Sequence, residues 1–271
     1  MKQIKFFAVA LTLLMGLTLT SCLNSDTNPI QQMQLVARYS GSLYGSYFET
    51  AFGQKLTPTD PSKLLTLTNG LYNLYFEYNT EEVTDQNNIT ITLLADPKKI
   101  DDKTCMQAGP QVDQGNAALA YLEYAVGYGK LVPAIFDKNT ILFPVLFWSI
   151  DPKDEKAWKE ELGKHRFEFT YSVDENTPNA LVINVAHTLS DANLEADKKP
   201  QRKTLQYNYY ALDIRDAVRQ ALEKNPKLSQ IIIQAKCNNG QSSNQNEAYD
   251  DLKKAIDQKY TINCAEIDFK K

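Results

Sequence analysis

"MQLVARYSGSLYGSYFETAFGQKLTP", residues 33–58, places aromatic and aliphatic side chains at near-alternate positions and breaks the pattern at Gly41, Gly45 and Gly53. Alternation with a period of two belongs to half-buried strands, and the glycines punctuate hairpins. Residues 64–79, "LLTLTNGLYNLYFEYN", supply two more candidate strands around Asn69-Gly70, a pair favoured in two-residue turns. "NITITLLADP", residues 88–97, alternates again and stops at Asp96-Pro97. About five short strands without a helix of any length predict a small barrel or half-sandwich.

Outward from this core the pattern loosens and then resumes. Residues 96–118 are charged and rich in turn formers, so a domain boundary is expected there. Further strands are expected in 119–137, 140–150, 165–173 and 180–189. The run Ile141–Ile150 is the most apolar of these, and Pro144 within it points to an edge or bulge. Three helices are expected. One starts at Asp154. The second, in residues 212–226, opens near Asp213 and is stopped by Asn225-Pro226. The third, in 246–259, rests on Ala248, Leu252, Ala255 and Ile256 lying on one side. "LSQIIIQAKC" (228–237) and "YTINCAEIDF" (260–269) complete the strands. The fold class is mainly β.

Upstream, Lys2 and Lys5 precede an uncharged apolar segment, Phe6–Leu19, and small polar residues end it. That is the layout of a secretory signal, and the segment is too short for a membrane span, which needs about 20 apolar residues. Leu19-Thr20-Ser21-Cys22 resembles the lipobox of bacterial lipoproteins, in which the cysteine thiol receives a diacylglycerol and the new amine is acylated. Two or more acyl chains anchor stably where one does not. Residues 1–21 are thus read as signal peptide, Cys22 as the lipidation site, and the polar residues 22–32 as a flexible tether. Leu23 rather than aspartate follows the cysteine, which favours the outer membrane; its periplasmic and external faces both stay open.

Cleavage before Cys22 leaves 27 of the 29 basic side chains against all 33 acidic ones, a formal charge of −6. A nucleic-acid partner is not expected of so acidic a chain, since such binders carry a basic footprint. Of the remaining cysteines, Cys237 and Cys264 flank the third expected helix. They are read either as a disulfide, adding roughly 3–4 kcal/mol, or as two buried thiols. No CxxC spacing exists and the two histidines are far apart, so neither a metal nor another cofactor is expected. "GYGK" at Gly127–Lys130 fails as a phosphate loop and reads as a hairpin turn. His165 and His187 have no recognisable nucleophile partner and are read as structural rings at strand ends. Tyrosine-rich groups such as "LYNLYFEY" and "YNYY" put one set of rings in the core and another outside. Three or more rings sharing an exposed face would grip sugars.

Four stretches resemble the NigD-like lipoproteins of Bacteroidetes: "LTSC" (19–22); "YFETAFGQKLTP" (47–58) with "LTNGLYNLYFEYN" (67–79); "ALVINVAHTLSDAN" (180–193), with His187 ending its strand; and "YNYYALDIRDAV" (207–218). The resemblance implies an OB-like N-terminal domain over 33–100 and a β-sandwich-like C-terminal domain over 110–271, with two or three short helices. It implies no catalytic residue, and an immunity role against bacteriocins only through the family's name. The expected function is a non-enzymatic, lipid-anchored accessory or binding protein with protein or cell-envelope partners; the alternative is a glycan-binding lipoprotein using exposed tyrosines.

Overall fold

A computed structural model describes residues 29–42, 45–110, 113–127, 129–151, 153–172, 179–192, 200–240 and 249–269. The segment read as a signal peptide, Cys22 and most of the expected tether lie outside these residues. The chain divides into two compact units. One takes the described residues up to Asp102 together with Ala125–Leu131; the other takes Lys103–Tyr124 and Val132–Lys271. The return of Ala125–Leu131 to the first unit modifies the expected division, which gave everything beyond residue 110 to the second.

In the first unit, β1 (Ile30–Ser42), β2 (Gly45–Thr50), β3 (Lys55–Pro58), β4 (Gly70–Asn79), β5 (Asn88–Leu93) and β6 (Lys98–Lys99) form one sheet in the order β1-β2-β3-β5-β4-β6. An additional β1–β4 pairing closes the first five strands into a barrel, the strand order of an OB fold, whose binding loops and faces are set by that closure. Phe48, Leu56, Leu74, Phe76, Ile91 and Tyr39 fill the interior. Two expectations change here. Ile30–Gln32 belong to β1 rather than to a tether, because β4 runs on to Asn79 and offers them partners. No strand forms over residues 64–69: Pro61–Leu64 is a 3-10 helix capped by Asp60, and its buried Leu64 accepts the Tyr39 hydroxyl on its carbonyl at 3.2 Å.

β7 (Asp101–Thr104) runs across the end of the first unit, and β8 (Met106–Gln107) follows in the second. Short strands β9 (Tyr124–Val126) and β10 (Gly129–Leu131), which apart from Tyr124 belong to the first unit, make the expected hairpin at Gly127, whose φ of 55° suits glycine. β11 (Ala134–Asp137), β12 (Thr140–Ser149), β13 (His165–Ser172), β14 (Ala180–Leu189), β15 (Thr204–Asp213), β16 (Gln230–Cys237) and β17 (Ile256–Asn263) follow. They form a four-stranded sheet, β11-β12-β15-β7, and a five-stranded one, β17-β16-β14-β13-β8. Alternate residues of both contribute to one core: Ile141, Phe143, Val145 and Phe147 from β12, and Phe167, Phe169, Ile183, Val185, Ile231 and Ile233 from the other sheet. Pro144 lies beyond the stretch where β11 flanks β12, since β11 begins opposite Leu142.

Helix Glu155–Leu162 is capped by Asp154, whose side chain accepts the Ala157 N–H. Helix Arg215–Lys224 buries Ala217, Val218 and Ala221. The third expected helix does not form. Among the described residues of 246–259, only Leu252–Lys254 make a 3-10 turn, and β17 follows at once, pairing along all eight residues of β16. The register also overturns the disulfide. Cys237 faces Ile256 at one end of the pair, while Cys264 lies just beyond Asn263, which faces Gln230 at the other end. Seven residues of strand separate those ends, about 23 Å at roughly 3.3 Å per residue, whereas a bridge needs Cα atoms within about 7 Å. Cys105, Cys237 and Cys264 are buried free thiols.

Candidate functional site

Among the described residues, a group of buried polar side chains gathers at the ends of β13 and β14. Pairing of His165 with Leu189 and of Phe167 with His187 sets both imidazoles in the core-facing rows, diagonal to each other. Their rings are nearly parallel with centroids 5.1 Å apart, and His165 Nδ1 lies 2.9 Å from His187 Nε2. Phe147 packs 4.5 Å from the His165 ring and Phe167 4.8 Å from that of His187.

One further turn of sequence brings in the carboxylate. Glu161 occupies the inward face of helix Glu155–Leu162 and precedes His165 by four residues, so its Oε1 sits 3.3 Å from His165 Nε2. Arg202, itself buried, donates to Glu161 Oε1 from Nε at 2.6 Å and to Asp191 from Nη2 at 2.8 Å; its Nη1 is 3.5 Å from Asp250. Lys164 lies 3.3 Å from Glu161 Oε2 and 3.7 Å from Asp191.

The hydrogen-bond pattern assigns the protons. The Ala118 carbonyl only accepts, so His187 donates to it from Nδ1 at 3.0 Å and keeps its lone pair on Nε2. His165 must then donate from Nδ1 to His187. Its other nitrogen, Nε2, faces the Glu161 carboxylate. Two cations, Arg202 and Lys164, stand among three acidic side chains, Glu161, Asp191 and Asp250. Burial, reinforced by the neighbouring His165, pushes His187 down to about 3. Burial acts to raise Glu161, but hydrogen bonds from His165 and Arg202 outweigh it and hold that carboxyl well below the usual range. Asp250 is raised by burial.

The loop that carries the Ala118 acceptor is built for the position. The N–H groups of Asn116 and Ala117 both donate to the His187 carbonyl, and Asn116 exchanges two side-chain hydrogen bonds with the Leu189 backbone. A Cβ at Gly115 would come within 2.0 Å of that same carbonyl oxygen. Only glycine fits.

Chemically, this arrangement ties the ends of two strands to a helix and to the chain around Arg202 and Asp250. Each ring nitrogen of both histidines is engaged within the protein, leaving no imidazole lone pair turned toward a substrate. His165 and His187 therefore sit at strand ends as the sequence predicts, but as one bonded pair. Sequence reasoning missed Glu161 and Arg202. The four-residue step from Glu161 to His165 was the available signal; Arg202, inside a charged stretch, offered none. Among described metal-binding side chains no cluster of three or more forms. The tyrosines divide as expected, Tyr39, Tyr72, Tyr171 and Tyr210 being buried and Tyr75, Tyr124 and Tyr207 exposed.

A barrel of OB strand order followed by a two-sheet unit defines the structural class. No family model matches the sequence, and no curated protein does; solved structures do. The chain is similar to a candidate lipoprotein of Bacteroides fragilis, with a TM-score of 0.68 and 23% identity over 86% of this chain and 98% of that one. A protein of unknown function from Bacteroides vulgatus matches with a TM-score of 0.50 and 9% identity over 86% and 91%. A NigD-like immunity protein from Bacteroides caccae is also among the matches, with a TM-score of 0.46 and 11% identity over 86% and 94%. What the first of them shares with this chain is the fold.

Proposed function

We propose that this chain is a non-enzymatic, lipid-anchored binding or accessory protein of the outer membrane, held through Cys22 and acting on a protein or envelope partner. The observation that carries the non-enzymatic part is the saturation of the buried Glu161–His165–His187 relay. General acid–base catalysis needs a group within hydrogen-bond reach of the substrate proton; here Arg202, Lys164 and the Ala118 carbonyl take those directions. The lipobox-like stretch supports the anchor, and the fold shared with a candidate lipoprotein supports the setting. Membrane fractionation tests it. The parent chain should sediment with membranes and be released by detergent, and Cys22→Ala should move to the soluble fraction. Membrane retention of Cys22→Ala would refute the anchor. A pull-down of the acylated chain from its native envelope would identify the partner.

A further inference from the structure

The exposed face of the barrel around Tyr75 carries a second, unrelated constellation. Met33, Leu35, Leu74 and Phe76 point into the barrel, so their neighbours in β1 and β4 point out. The β1–β4 register sets Gln32 opposite Glu77, Gln34 opposite Tyr75 and Val36 opposite Asn73. Tyr75 is 43% exposed, yet its ring is held: its hydroxyl donates to Gln32 Oε1 at 2.9 Å, and Gln32 Nε2 donates on to Glu77 at 3.3 Å. Gln34 Nε2 donates to Asn73 Oδ1 at 3.1 Å. Across β4, the N–H of the exposed Leu94 donates to the Tyr75 carbonyl. Thr92 faces Glu77, with its hydroxyl 3.4 Å from that of Thr59.

From this face we infer a binding site for a neutral oligosaccharide. A pyranose presents an apolar C–H face and a rim of hydroxyls that both donate and accept. Tyr75 and Leu94 supply an apolar platform one ring wide, and the amides of Gln32, Gln34 and Asn73 supply paired donors and acceptors around it. Mutual hydrogen bonds already fix the Tyr75, Gln32 and Gln34 side chains, which reduces the ordering cost of binding. Two apolar groups are too few for the dry centre of a protein interface, and Glu77 in an acidic chain disfavours an anionic ligand. The inference rests on the binding role proposed above and gives it a ligand class. Fractionation reads the anchor and titration reads the site, so either can fail without the other.

The test is isothermal titration of the acylated full chain, in a detergent without sugar headgroups, against cellohexaose, maltohexaose and xylohexaose, with hexagalacturonate as the anionic control. At least one neutral hexasaccharide should bind. Tyr75→Ala should weaken it by about tenfold or more, and Gln34→Ala, remote from the barrel interior, by about threefold. Tyr75→Phe, which keeps the ring, should weaken it less than Tyr75→Ala. No binding of any neutral hexasaccharide, unchanged affinity in Tyr75→Ala, or equal binding of hexagalacturonate would each overturn the inference.

Discussion

At the scale of single residues, Arg202 governs the second unit. Its side chain is 2% exposed and lies against Glu161, Asp191 and Asp250 from three separate segments. Removing one partner of a buried ion pair costs about 3–5 kcal/mol, because the other charge stays buried and unpaired. Arg202→Met should therefore lower the stability measured by urea unfolding by about that much. Acid should act through the same cluster. His187, held down to about 3 against an ordinary 6.5, is protonated more readily in the unfolded chain, so stability falls as pH drops below about 6.5. Glu161, held below 4.5, adds a loss of the same sign at lower pH. Asp250, raised by burial, works in the opposite direction because the native chain holds its proton more firmly. Thermal unfolding between pH 7 and 5 should show a falling midpoint, with a His187 slope of at most about 1.4 kcal/mol per pH unit. His187→Gln should flatten that profile, and an equally steep one would contradict the assignment. The sequence marked both histidines as strand-end rings. That they bond to each other depends on strand register between residues 22 apart, which no local pattern encodes.

At the scale of elements, the instructive case is the segment after Cys237. Leu252, Ala255 and Ile256 have helical spacing, but Ile256, Gln258, Tyr260 and Ile262 also alternate, and pairing with β16 decides between the two. A short amphipathic pattern does not make a stable helix by itself, whereas a strand beside a buried neighbour gains a full ladder. The same pairing holds Cys237 and Cys264 apart. Denaturation without reductant followed by alkylation should label Cys105, Cys237 and Cys264 alike; a mass two hydrogens lighter with two cysteines unlabelled would contradict the register. The loop at Gly115 has its own test. With a φ of 74° and the His187 carbonyl in the way, Gly115→Ala should cost at least about 2 kcal/mol in urea unfolding. A neutral effect would mean that this loop is not docked on β14.

At the scale of the molecule, alternation in residues 33–58 and 88–97 made the barrel legible, because strand period and glycine punctuation are local signals. The β1–β4 closure and the face-to-face sheets of the second unit are products of long-range pairing, and there the resemblance to a known family supplied what periodicity did not. Function follows the same division. The lipobox-like stretch is local and readable, whereas the Tyr75 face exists only once β1, β4 and β5 lie side by side. The proposed tether is a lipidated Cys22. Intact mass spectrometry of the amino-terminal peptide from the membrane-extracted protein tests it most directly. The expected chain begins at Cys22 with diacylglycerol on its thiol and an acylated amine; an unmodified Cys22 thiol, or processing at another bond, would refute the anchor.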